Sequence, residues 1–88
     1  MKEIILNCEE MDTMQHAYSH IEESFGFPQG SVSDTDSLVD MLKQISRRME
    51  VTFEDVDLLD IHLGEEGTDE LLGAFEEAAA ENENIELV

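Results

Sequence analysis

KEIILNCEEMDTMQHAYSHIEESFGFP, residues 2–28, reads as a strand followed by a helix, and that succession decides the fold class. Ile4, Ile5 and Leu6 form a short continuous apolar run between charged residues and Asn7, the pattern of a parallel strand buried on both faces, so Lys2 to Leu6 is assigned to a first strand. Met14, Ala17, Tyr18, Ile21 and Phe25 then recur at helical spacing. Asp12 stands where an N-cap belongs with Gln15 three residues on, and Gly26 followed by Pro28 marks the stop.

Outward from this stretch the alternation continues. Phe27 to Ser33 collects Pro28, Gly30, Ser31 and Ser33 and reads as an irregular loop. In the next helix Leu38, Leu42, Ile45 and Met49 step by four, three and four, which lines them on one face and sets Asp36 and Asp40 side by side on the opposite, solvent face. Met49 to Phe53 is a second strand. Val56, Leu59, Ile61 and Leu63 predict a short helix ending at Gly64. Thr68 caps a final helix with Leu71, Leu72, Phe75, Ala78 and Ala79 facing inward, and Ile85 to Val88 closes the chain as a third strand. Strands separated by helices predict an α/β fold, a small three-stranded parallel sheet packed against three to four helices. With 88 residues, 41% of them hydrophobic, the chain encloses one modest core, and residues 1–88 are expected to form a single domain.

Charge excludes whole classes of partner. Twenty-three acidic residues against four basic ones give a net charge of -19, which repels nucleic acid and anionic membranes and attracts a basic protein. Met49 to Val88 alone holds fourteen acidic residues and no Lys or Arg. The single cysteine, Cys8, forms no intramolecular disulfide, and neither a signal segment nor a bilayer-length apolar run is present, so a cytoplasmic location is expected.

The candidate chemistry is sparse. His16 and His20 lie one helical turn apart with Glu23 on the same side, half of a zinc site, but no Cys or further His completes it, and solvated imidazoles are the reading adopted. His62 reads as packing or capping. Asp34, Asp36 and Asp40 fail as a calcium loop because Leu38 and Val39 stand where an oxygen ligand and the turn glycine are needed. No nucleophile has a His partner and no phosphate loop is present, so no enzyme, cofactor or metal is expected. Asp34 and Asp36 are accounted for by the helix dipole. Asp40 lies beyond the first turn and at i,i+4 from Asp36, where like charges cost a few tenths of a kcal/mol, and a binding role would explain that placement. Glu77 by itself reads as a solvated helix charge.

In order and spacing these pieces resemble the barstar family of ribonuclease inhibitors over essentially the whole chain without an internal gap. The matching pieces are Ile4 to Leu6, the first helix, Phe27-Pro28, the run DTDSLVDML from Asp34 to Leu42, Gly67, and Phe75 to Ala80 followed by Ile85. The resemblance implies three parallel strands packed on helices. It further implies a monomeric protein that plugs the active site of a basic extracellular-type ribonuclease or nuclease toxin, with carboxylates standing in for RNA phosphates. The partner-binding residues it implies are Asp34, Asp36, Asp40 and Glu77. Gly30, Val39 and Ile45 fall at interface positions where the family prototype carries a tyrosine and two tryptophans. Loss of those aromatics implies weaker binding or a differently shaped target, since hot spots are enriched in Trp and Tyr. Glu22, on the first helix, falls outside the implied interface and is taken as a neutral charge control. The alternative reading is an acidic adaptor or decoy that binds another basic protein without inhibiting a nuclease.

Overall fold

Parallel strands need crossovers, and helices supply them here. The computed structural model describes residues 2–88. Strands β1 (Lys2–Asn7), β2 (Met49–Glu54) and β3 (Ile85–Leu87) form a parallel sheet in the order β1-β2-β3, with Ile4 beside Val51 and Val51 beside Leu87. A 3₁₀ turn at Cys8–Glu10 and the helices α1 (Met14–Phe25) and α2 (Thr35–Lys43) connect β1 to β2, and α3 (Asp57–Glu81) connects β2 to β3. Leu6, Met11, Ile21, Leu38, Leu42, Val51, Leu59, Leu71 and Phe75 are fully buried between sheet and helices. Phe75 meets Phe53 edge-on at 5.1 Å and Phe25 at 6.2 Å, which ties β2, α1 and α3 into one aromatic cluster.

Four expectations are corrected. Ile4 and Leu6 lie in the core but Ile5 is 49% exposed, because the helices cover one face of the sheet and leave the other open. On that open face Glu3, Glu50 and Glu86 stand in one row across the three strands, with Arg48 3.5 Å from Glu86. The N-cap of α1 is Thr13, whose hydroxyl accepts from the His16 N–H, while Asp12 pairs with the His16 ring. α2 ends at Lys43, so Ile45 and Met49 leave the helical stripe, and Met49 opens β2, as the strand assignment of Met49 to Phe53 expects.

The fourth correction concerns Thr68. It caps nothing: it lies inside α3, 6% exposed, with its hydroxyl unpartnered. The break in α3 is at Gly64, as its sequence suggests, with φ 76° and ψ 170°, a conformation open essentially to glycine alone. Gly26 terminates α1 in the left-handed conformation as expected.

Candidate partner-binding site

The site grows from α2, which has nine residues, fewer than a helix needs to persist alone in water. Its first turn is closed by a reciprocal cap. The Asp34 carboxylate accepts from the Ser37 N–H at 2.8 Å, and the Ser37 hydroxyl accepts from the Asp34 N–H at 3.1 Å. The Ser37 backbone N–H, with its hydroxyl second, holds the Asp34 carboxyl below the usual aspartate range. Asp36 in the first turn and Lys43 in the last both complement the helix dipole.

Side chains from elsewhere fix both flanks of this helix. Upstream, Glu22 of α1 is 6% exposed, and its Oε2 accepts from the Val32 N–H at 2.8 Å, which pins the incoming loop. Glu22 is therefore a structural strut rather than a solvated charge, and the expectation that it serves as a neutral control is withdrawn. Downstream, Asn82 is 8% exposed. Its amide donates to the carbonyls of Leu42 at 2.9 Å and Ile45 at 3.0 Å, with Lys43 at 3.3 Å, while its Oδ1 accepts from the Asn84 N–H. Asn84 adds a further bond to the Ile45 carbonyl. From the C-cap of α3, Asn82 thus adds donors to carbonyls at the end of α2, beside the Ile45 N–H that reaches the Leu42 carbonyl.

Held this way, α2 and α3 enclose a groove of about 290 Å³. Asp36 and Val39 line it from α2, and Asp69, Glu70, Gly73 and Glu77 line it from α3. Among the described residues no Lys or Arg borders it. Asp40 is exposed one turn beyond Asp36. At the far end Lys43 bridges to Glu81 at 2.7 Å, and its ammonium is pushed above the ordinary lysine value by Glu81, with Glu77 and Asp40 adding to the effect.

The structure brings together part of the expected set. Asp36, Val39 and Glu77 share the groove, with Asp34 capping the helix and Asp40 beside it. Val39 is 8% exposed and forms the floor, packed with Leu38 and Leu42 on the buried side of α2. Gly30 lies apart, in a cleft between the loop and α1. Ile45 borders a different cavity with Phe27 and Met41. Asp69 and Glu70 were missed. Their signal was present: Glu70, Gly73 and Glu77 step by three and four, which puts two carboxylates and a residue without a side chain on one helical face.

The two helical histidines have protein partners. The His20 ring accepts from the Asn7 N–H through Nε2 and faces Glu10 through Nδ1, so it is a half-buried tie between α1 and the end of β1 rather than a solvated imidazole. No described helix is long and apolar enough to cross a membrane.

The whole chain, residues 1–88, matches the model of a family described as Barstar (barnase inhibitor). No curated protein matches it significantly. Members of that family bind a ribonuclease such as barnase and act as inhibitors, not as enzymes. A parallel three-stranded sheet packed on helices is the architecture the family carries. By sequence over its full length and by fold, the chain belongs to the Barstar (barnase inhibitor) family.

Proposed function

We propose that the chain inhibits a basic microbial ribonuclease, or a related nuclease toxin, by seating the α2–α3 groove over the active site. Asp34, Asp36, Asp40 and Glu77 then occupy the places of RNA phosphates, and Asp69 and Glu70 widen the acidic surface. The observation that carries this reading is the groove itself: Asp36, Asp69, Glu70 and Glu77 line one cavity with no basic residue on its wall among the described residues. A ribonuclease site that holds phosphates with Arg, Lys and His groups presents the complementary charge. Val39 gives the groove an apolar floor, whereas Ile45 lies outside it. Occlusion needs no bond-making by this chain.

The test is inhibition of a barnase-type ribonuclease by the unaltered chain and by Asp36→Ala, Asp40→Ala, Glu77→Ala and Glu65→Ala. Glu65 is exposed on α3 and lines neither the groove nor the openings beside Glu22, so it replaces Glu22 as the charge-matched control. A hydrogen bond to a charged group is worth about 1.5–3 kcal/mol, so Asp40→Ala should raise the inhibition constant by roughly 10- to 100-fold, while Glu65→Ala changes it little. Equal inhibition by all four variants would reject the groove as the contact surface.

A further inference from the structure

Beside Gly30 a second cavity, of about 550 Å³, opens between α1 and the loop that leads into α2. Met14, Tyr18 and Val32 form its apolar walls, and Ser19, Gln29 and Glu22 supply its polar groups. Glu22, Ser19 and Gln29 also line, with Glu23 and Phe27, an adjoining cavity of about 340 Å³, so Glu22 stands between two open spaces. One of its oxygens, Oε2, is taken by the Val32 N–H. No described residue donates a hydrogen bond to the other, Oε1, and that atom is not sealed from solvent. The cleft therefore presents a fixed carboxylate oxygen with unused acceptor capacity at the base of an apolar-walled opening.

Its position ties it to the acidic groove. The Tyr18 hydroxyl is pushed above the ordinary tyrosine value by burial and then by Glu70 and Asp34, which places the cleft within electrostatic reach of both the α2 cap and the groove wall. No Lys or Arg borders either opening among the described residues.

We propose that this cleft is a receptor for an arginine side chain presented by the basic partner, with the methylene stem against Met14, Tyr18 and Val32 and the guanidinium directed at Glu22. The partner named here rests on the inhibitory function proposed above; the chemistry of the cleft does not. Arginine fits better than lysine for two reasons. Its weakly hydrated planar group stacks on a tyrosine face, and its several N–H donors can serve Glu22, Ser19 and Gln29 at once, whereas an ammonium is a strongly hydrated point charge. The volume lies within the range of about 300–1,000 Å³ typical of cavities that enclose small ligands.

The test uses ethylguanidinium as probe and neutral ethylurea as its near-isostere, titrated at constant ionic strength and followed by amide chemical shifts. The expected result is saturable shifts at Ser19, Gln29 and Tyr18 with ethylguanidinium, and binding at least fivefold weaker with ethylurea. Glu22→Gln retains an acceptor for the Val32 N–H but removes the charge, and should weaken ethylguanidinium at least fivefold with the spectrum of a folded chain preserved. Ser19→Trp, on the exposed side of α1, should fill the cleft and abolish the shifts. Shifts confined to the α2–α3 groove, or unchanged affinity in Glu22→Gln, would overturn the proposal. Ribonuclease inhibition is read separately: a chain that binds ethylguanidinium in the cleft yet inhibits no ribonuclease refutes the proposed function and leaves the cleft assignment standing.

Discussion

Replacing Asn82 tests whether the α2–α3 groove depends on a polar clamp outside it. The Asn82 amide carries two protons and reaches three carbonyls, the shortest contacts being Leu42 at 2.9 Å and Ile45 at 3.0 Å. Asn82→Ala removes about two net hydrogen bonds, at roughly 0.5–1.5 kcal/mol each, while the Leu42 and Ile45 carbonyls keep the Ile45 N–H and the Asn84 amide as donors, so a loss of about 1–3 kcal/mol is expected. For a domain of this size that lowers the thermal midpoint by roughly 5–20 °C. Asn82→Asp keeps the shape but turns an oxygen toward those carbonyls and adds negative charge at the negative end of α2, so at neutral pH it should cost at least as much. That repulsion raises the new carboxyl's folded pKa above its unfolded value of about 3.9. Its destabilising effect is therefore present at neutral pH and relieved as the pH falls and the group protonates. Urea titrations of the three proteins at pH 7 and pH 4 are the assay. An Asn82→Ala loss under about 0.5 kcal/mol, or an Asn82→Asp deficit that does not shrink relative to Asn82→Ala on acidification, would refute the clamp.

Three further outcomes are expected. Burial, with Asp55 second, pushes the Cys8 thiol from 9.0 up to about 11. Its stabilising effect is complete below pH 9 and lost as the pH rises through about 11, so the stability gap between the unaltered chain and Cys8→Ala should narrow by about 2–3 kcal/mol between pH 8 and strongly alkaline solution; a constant gap would contradict the assignment. Glu50 sits between Glu3 and Glu86 on the open face of the sheet, so Glu50→Thr relieves two like-charge pairs and should raise stability by about 0.5–1 kcal/mol, less at high salt, as read from urea midpoints at two salt concentrations. A Cβ at Gly64 meets no atom within 4 Å, yet its φ of 76° with ψ of 170° is closed to other residues, so Gly64→Ala should cost about 1–3 kcal/mol in a thermal melt through backbone strain alone.

The alternation of strand and helix, the stop at Gly26, the break at Gly64 and the exposure of Asp36 and Asp40 were legible because each is written within one or two turns of chain. Ile5 was misread because a continuous apolar run looks the same whether a sheet is covered on one face or two. Thr68 was misread because a threonine before acidic residues carries the local marks of a cap wherever the helix truly begins. Asn82 and Glu22 left no mark at all: their bonds join residues 40 and ten positions apart, and a polar side chain whose partners are that distant resembles any surface residue. Glu70 did leave a mark, the step of three and four to Gly73 and Glu77, but it and Asp69 become part of a site only when α3 is laid against α2.

The two struts explain how so short a helix can carry a cluster of like charges. Carboxylates gathered on one groove repel one another and are poor ground for a helix of nine residues, which is too short to stand by itself. The apolar face of Leu38, Val39 and Leu42 supplies part of what holds it, but burial has little directional preference and would tolerate rotation or sliding of α2 along α3. Hydrogen bonds to fixed carbonyls and to the Val32 N–H are directional, and they act at the two flanks rather than within the groove, so they restrict sliding without using any acidic side chain of the groove. Charge complementarity rewards a partner only if the carboxylates already stand where its cations will be, because ordering them on binding would offset much of the attraction. A polar clamp at each flank therefore does for this surface what a larger core would do in a longer chain: it lets the groove remain acidic and stay in place.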